Sequence, residues 1–386
     1  MNLEFQYGID LLLAEHSDWL RGRRVGLVAH AASVDAAGVP SAARLRAAGV
    51  NLTALFGPEH GFAGAAIAGE EVGDARHAEW NLPIHSLYGA TRKPTPAMLA
   101  DVDVLLFDLQ DLGVRCYTYS ATLRNCLEAA AENRKAVIVL DRPIPLAGVV
   151  DGPLPEEQFM SFVAAIPTPF CYGLTPGQTA PWLCEKLKLD LDLRIAPFRG
   201  TPPPGRWLPP SPAIRSPAHA LAYPSIVLFE AFPALDVGRK TEHAFQGLEN
   251  GIELTPKDWK EICEEVSRQL SVVRCRPATD HTPRTTDTGG VQVEPLAAGL
   301  RVRVTALANY RPALLGLALV QAVQQVWGVE NLWHQHGARP EWFDQLLGTD
   351  RIRLALLAGA TPADIAAAWA PGLAAFGAET VRPTPG

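Results

Sequence analysis

The feature that most constrains the fold is a set of short, almost wholly apolar runs in the first 150 residues, most of them ending on a polar group. They are residues 23–30 (RRVGLVAH), 51–56 (NLTALF), 102–108 (VDVLLFD) and 136–141 (AVIVLD), with a weaker run at 82–88 (LPIHSLY). Each is too short for an isolated helix. Runs without apolar/polar alternation suit strands buried on both faces. Between them, residues 41–48 and 119–133 read as helices, the second placing Leu123, Leu127 and Ala130 on one face. Strand, helix, strand, repeated, predicts an α/β fold: a Rossmann-like parallel-sheet N-terminal domain with right-handed crossovers.

Residues 151–225 change character. Proline is dense there (202–204, 209, 210 and 212), and proline lacks the donor that a ladder needs. The segment reads as ordered loops or a linker draped over the first domain, broken by a helix near 176–187. The pattern beyond predicts a strand at 225–229, a helix at 256–269, strands at 271–276 and 300–304, and a long helix from about 311 to 327. Helices near 340–347, 351–358 and 362–374 close the chain. The expected division is a Rossmann-like first domain over 1–225, Pro-rich loops included, and a smaller α+β C-terminal domain over 226–386.

Composition removes several classes of function. With 48% hydrophobic and 19% charged residues the chain can bury a core, which excludes a disordered protein. A net charge of −7 without a long lysine/arginine run argues against nucleic acid or an anionic membrane as partner. No apolar run reaches the ~20 residues of a membrane span. The six cysteines never stand as CxxC, so reduced, mostly buried thiols are expected rather than zinc or a disulfide framework. Scattered His and Asp lack metal-ligand spacing, and no metal is expected. GxSxG, HExxH and Walker A are absent. The GxGxxG fingerprint is missing after the first strand, where AHAASVDAAG stands. No cofactor is therefore expected, and a nucleotide-dependent enzyme is disfavoured. The opening residues carry acids and no signal-peptide core. The expectation is a cytoplasmic chain as given, or a periplasmic or secreted one if an export signal was removed.

Polar groups gather where the predicted strands end. His30 closes the first, GPEHG (57–61) follows the second, Asp108-Leu109-Gln110-Asp111 follows the fourth, and Asp141-Arg142-Pro143 the fifth. In an open parallel sheet, ligands sit beyond the carboxyl ends of the strands. In GPEHG two glycines allow a tight turn that projects Glu59 and His60 toward that crevice, and a carboxyl drawn partly out of water suits a general acid. Glu70, in a Gly/Ala-rich loop, is either a solvated acid or a second carboxylate. Asp108 and Asp111 also suit helix capping. Gln110, Arg115, Tyr117 and Tyr119 offer donors and flat rings for a sugar or a carboxylate, and Arg115 could grip a carboxylate in two-pronged fashion. Pairing with Asp111 is its structural alternative.

The ordered motifs resemble one family over nearly the whole chain. GIDLLL (8–13), RGRRVGLVAH (21–30), FGPEHGF (56–62), AGEEVGD (68–74) and LYGATRKPTPAML (87–99) are followed by VDVLLFDLQDLGVRCYTY (102–119) and VLDRPIPL (139–146). Then come DGP (151–153), LPPSP (208–212), YPSIVLFE (223–230), VGRKTEHAF (237–245) and GGVQ (289–292). This string is similar to the NamZ-type exo-β-N-acetylmuramidases, long catalogued as a bacterial domain of unknown function. The resemblance implies that the first domain is catalytic and that the smaller C-terminal domain closes the cleft. It also implies removal of N-acetylmuramic acid from the non-reducing ends of peptidoglycan fragments, with a disaccharide or muropeptide as partner. The chain departs from the pattern at Ile144, Ala213 and Pro233, where Asn is usual, at Tyr172, where His is usual, and at Lys240, where Gly is common. Under this reading Glu59 protonates the glycosidic oxygen. The second role falls to Glu70, Asp108 or Asp141, or to the substrate's 2-acetamido group. His30, His60, Gln110, Asp111, Tyr117, Tyr119, Asp141 and Arg142 would line the sugar site. Arg115, with Arg142 and Arg239 as alternatives, would hold the lactyl carboxylate. The competing reading is a sugar- or muropeptide-binding homologue that lost turnover.

Overall fold

The computed structural model describes residues 5–203, 205–250, 254–275 and 290–380. Along the first half run α1 (Gly8–Glu15), β1 (Val25–Ala29), α2 (Ser41–Ala47), β2 (Leu52–Gly57), β3 (Ala75–Arg76) and β4 (Pro83–Ser86). They are followed by β5 (Val104–Asp108), α3 (Tyr119–Glu132), β6 (Ala136–Leu140), α4 (Pro176–Leu187) and β7 (Leu193–Ala196). All five apolar runs are strands, and β1 and β5 are buried at every residue. The seven strands lie in the order β3-β4-β2-β1-β5-β6-β7, parallel except for the β3 edge. Leaving out that edge, the parallel strands run 3-2-1-4-5-6 and reverse between β1 and β5, the Rossmann arrangement.

Successive residues of a buried strand feed opposite faces, so an unalternating apolar run is what two helical layers require. Leu27, Leu106 and Ile138 join one core with Ile9, Leu12 and Leu45 from α1 and α2. Val28, Leu105, Phe107, Val137 and Val139 join the other, with Leu123 and Leu127 of α3 and Leu183 of α4. The Pro-rich stretch is more ordered than its composition suggests, since it supplies β7, the far edge of the sheet.

The second half contains α5 (Pro217–Ile226), β8 (Leu235–Asp236), β9 (Gly247–Asn250), α6 (Pro256–Cys275), β10 (Val291–Leu296) and β11 (Gly299–Val304). It ends with α7 (Pro312–Trp327), α8 (Val329–Trp333), α9 (Pro340–Leu347), α10 (Arg351–Leu357) and α11 (Pro362–Thr380). Four antiparallel strands lie in the order β10-β11-β9-β8. The chain is thus a mixed α/β protein with an α+β second part.

Two expectations are corrected here. Residues 225–229 are not a strand: they end α5 and enter a 3-10 turn at Val227–Ala231. A short apolar run buried all round has no period by which helix and strand can be told apart. Residues 271–275 continue α6 rather than forming a strand, because adding a residue to an existing helix is far easier than starting a new element. Residue 276 lies outside the described residues.

Candidate functional site

β2 delivers the GPEHG turn. A Cβ on Gly57 would stand 2.5 Å from the Phe62 nitrogen, so only glycine lets the chain double back there. His60 itself adopts a left-handed φ of 71°, uncommon for a residue with a side chain. It is held in place by its Nδ1, 2.8 Å from the Ala66 carbonyl. The turn aims Glu59 at the residue preceding α3: Thr118 Oγ1 donates to Glu59 Oε2 at 2.6 Å, and the Gly69 amide donates to Oε1 at 3.0 Å. Glu59 is only 8% exposed.

Glu59 and His60 open onto a cavity of about 500 Å³. One wall is aromatic. Tyr117 meets Tyr119 and Tyr223 edge to face, with ring centroids at 4.9 and 5.7 Å, and Tyr223 meets Phe245 at 4.8 Å. Burial pushes the Tyr117 and Tyr223 hydroxyls well above their ordinary range, so both remain protonated donors. The other wall comes from the second half: Glu230, Arg239, Arg339 and Trp342. Arg239 is ion-paired with the Glu230 carboxylate, and Arg339 donates to the Glu230 main-chain oxygen. Burial pulls the Arg239 guanidinium down, against the opposing pull of Tyr223 and Glu59.

Of the residues expected from sequence, Glu59, His60, Tyr117, Tyr119 and Arg239 come together around this cavity. The others lie elsewhere. His30 is buried at the β1/β5 reversal, where its Nε2 accepts from the Gln110 amide at 3.0 Å and its Nδ1 lies 3.2 Å from the Pro210 carbonyl. Burial lowers its pKa to about 3, so it is neutral. The Tyr119 hydroxyl donates to the same carbonyl at 2.7 Å. Asp108 and Arg142 form a buried two-pronged pair, Nε to Oδ1 at 2.6 Å and Nη2 to Oδ2 at 3.2 Å. Gln110 donates to the Asp111 and Pro143 carbonyls. Asp111 accepts from the Leu112 amide at 2.6 Å and from the Tyr172 hydroxyl at 2.6 Å. Asp141 accepts from the Gly177 amide and the Thr175 hydroxyl at the start of α4. Glu70 is exposed and accepts from the Ile67 amide. Arg115 is fully buried, its fork spread over the carbonyls of Pro153, Thr168 and Leu347. The crevice at the strand reversal is therefore filled by the chain's own groups, and the open space lies beside it, beyond β2.

Of the departures, Ala213 lines the cavity, Ile144 and Tyr172 are buried, and Pro233 and Lys240 are exposed. Sequence reasoning missed Arg92, Glu230, Arg339 and Trp342 as lining residues. Glu230 carried a signal, an acid closing the apolar run of YPSIVLFE. Arg339 and Trp342 carried none, since they reach the cavity only through the docking of α9. Among the described residues, no group of three or more His, Cys, Asp or Glu could hold a metal ion, and no helix is long and apolar enough to cross a membrane.

Comparison with known proteins places the chain in a family. Two family models match consecutive stretches: "Exo-beta-N-acetylmuramidase NamZ, N-terminal" over residues 25–218 and "Exo-beta-N-acetylmuramidase NamZ, C-terminal" over 221–382. The peptidoglycan β-N-acetylmuramidase NamZ of Bacillus subtilis (strain 168) is 33% identical over 359 residues, covering 90% of this chain and 83% of that protein. A crystal structure of a DUF1343 family protein from Bacteroides fragilis NCTC 9343 superposes with a TM-score of 0.80 at 28% identity, covering 98% of each chain. A second, at 24% identity and a TM-score of 0.70, shares the fold. Glu59, at the turn where the acid was expected, thus stands in a chain that belongs to the exo-β-N-acetylmuramidase NamZ family of glycoside hydrolases.

Proposed function

We propose that this chain removes N-acetylmuramic acid from the non-reducing ends of peptidoglycan fragments, with Glu59 as general acid. The observation that carries the reading is the setting of Glu59. It is a mostly buried carboxyl fixed by Thr118 and the Gly69 amide in the lining of a cavity that Tyr117 and Tyr223 also wall. A cavity of about 500 Å³ is of the size that encloses a small ligand. Glu59 gives its proton to the glycosidic oxygen as the bond to the anomeric carbon breaks. Water adds its hydroxyl to that carbon, and its remaining proton, passed on through solvent, restores the Glu59 carboxyl. Asp108, Asp141 and Glu70 are engaged away from the cavity. The second role therefore passes to Glu230, the other carboxylate in the lining, or to the substrate's own 2-acetamido oxygen. The division at 225/226 belongs to this reading, since the cavity is lined from both sides of it.

The test is turnover of a chromogenic β-MurNAc glycoside beside its GlcNAc analogue, in wild type and Glu59→Gln. The variant keeps shape and hydrogen-bonding reach but has no proton to give. On an unactivated disaccharide kcat should fall by about 10²–10⁴, and less where the leaving group needs no protonation. Wild-type turnover in the variant would end the assignment. Binding without release in the wild type would instead favour a sugar-binding homologue.

A further inference from the structure

Three guanidiniums, Arg92, Arg239 and Arg339, line the cavity against two carboxylates, Glu59 and Glu230. A local surplus of positive charge in a chain of net charge −7 calls for an explanation. Two of the three cations are engaged. Arg239 pairs with the Glu230 carboxylate, and Arg339 donates to the Glu230 main chain and lies 5.9 Å from the centre of the Trp342 ring. Glu59 is occupied by Thr118 and Gly69.

Arg92 differs. Its guanidinium carbon lies 3.6 Å from the centre of the Tyr88 ring and 4.7 Å from that of Phe162. Its Nη1 is buried and lacks a hydrogen-bond partner. Among the described residues no carboxylate pairs with it. Two aromatic faces hold the planar fork, and the Tyr88 hydroxyl interacts with it as well, while no acceptor meets Nη1, a geometry that suits a planar anion.

We propose that Arg92 binds the substrate's carboxylate and so sets the choice of N-acetylmuramic acid over N-acetylglucosamine. This rests on the muramidase reading above. The two sugars share the 2-acetamido group and differ by the 3-O-lactyl carboxylate. A carboxylate drawn out of water into this cavity is costly unless a cation meets it, and its two oxygens match a guanidinium edge. Arg115, to which the sequence pointed for this role, has its fork taken up by carbonyls.

The test pairs binding with turnover. Dissociation constants for free N-acetylmuramic acid and N-acetylglucosamine are measured by calorimetry in wild type, Arg92→Gln and Arg92→Lys. Values of kcat/KM are measured on the two chromogenic glycosides. Wild type should prefer the muramic sugar. Arg92→Gln should weaken it by roughly 10- to 150-fold, the worth of a hydrogen bond to a charged group, while the glucosamine constants hold. Arg92→Lys, a point charge without the fork, should fall between; it also carries the comparison if Arg92→Gln melts early. Equal loss on both sugars, no loss on either, or a wild type that binds both alike would overturn the proposal. A wild type that binds N-acetylmuramic acid selectively through Arg92 but releases no sugar would support it while refuting hydrolysis.

Discussion

Asp111 is 4% exposed, and among the described residues no cation pairs with it; its partners are two main-chain amides and the Tyr172 hydroxyl. Burial outweighs those donors and pushes its pKa up from 3.8 to about 6. An acid whose folded pKa is raised binds its proton more tightly in the folded state. Its contribution to stability is therefore greatest below pH 4, declines as pH rises from about 4 to 6, and is flat above. The span is on the order of 3 kcal/mol. Asp111→Asn should remove that decline, as followed by urea midpoints between pH 4 and 7. An unchanged slope in the variant would place the titration elsewhere. The same residue shows what sequence reading achieves at this scale. Glu59 was legible as a residue facing open space because glycines bound the turn that carries it past the strand end. Asp108, Asp111, Asp141 and Arg142 stand at strand ends just as Glu59 does, yet the structure uses them to brace one loop against another. Strand-end position finds such groups; only burial from distant segments separates a brace from a ligand group.

At the scale of elements, the sheet was readable because buried parallel strands carry their signature in a handful of consecutive residues. The run at 225–229 was not, because its helical state is set by packing on α7, a long-range contact. Helix N-termini follow the same division. The start of α4 combines Thr175 as cap, Pro176 next, and Asp141 reaching in from the end of β6. A Cβ on Gly177 would sit 2.5 Å from Asp141 Cγ. Replacing a helical glycine by alanine ordinarily stabilises by roughly 0.5–1 kcal/mol, but here overpacking, about 1–3 kcal/mol, should prevail. Gly177→Ala is thus expected to lower the urea midpoint. Gly377→Ala, in α11 with nothing within 4 Å of the added carbon, is expected to raise it. If both variants move together, the Asp141 contact does not govern the start of α4.

Across the whole molecule, two buried charges from the first half hold the ends of helices in the second. The Asp151 carboxylate accepts from the Ala313 and Leu314 amides at the start of α7, and Arg311 pairs with it at 2.7 Å. Arg115 does the converse at the end of α9, its Nη2 donating to the Leu347 carbonyl at 2.6 Å while Nη1 holds Pro153 and Thr168. Each sign complements the helix end it meets, an anion at the free amides and a cation at the free carbonyls. Burial lowers the Arg115 pKa to about 10, far enough above neutral for the side chain to stay charged at pH 7. Arg115→Ala leaves three buried carbonyls short of a donor and opens a void the size of a long side chain. It also removes the unfavourable burial of a charge. The balance should be a loss of about 3–5 kcal/mol in unfolding free energy. Because α9 carries Trp342, Gln345 and Leu346 into the cavity, loosening its end should lower kcat/KM for MurNAc and GlcNAc substrates by the same factor. The ratio of the two should be unchanged where Arg92→Gln collapses it. Denaturation midpoints and the paired glycoside assay decide the matter together: an Arg115→Ala chain of wild-type stability that loses only the muramic substrate would make Arg115, not Arg92, the carboxylate receptor.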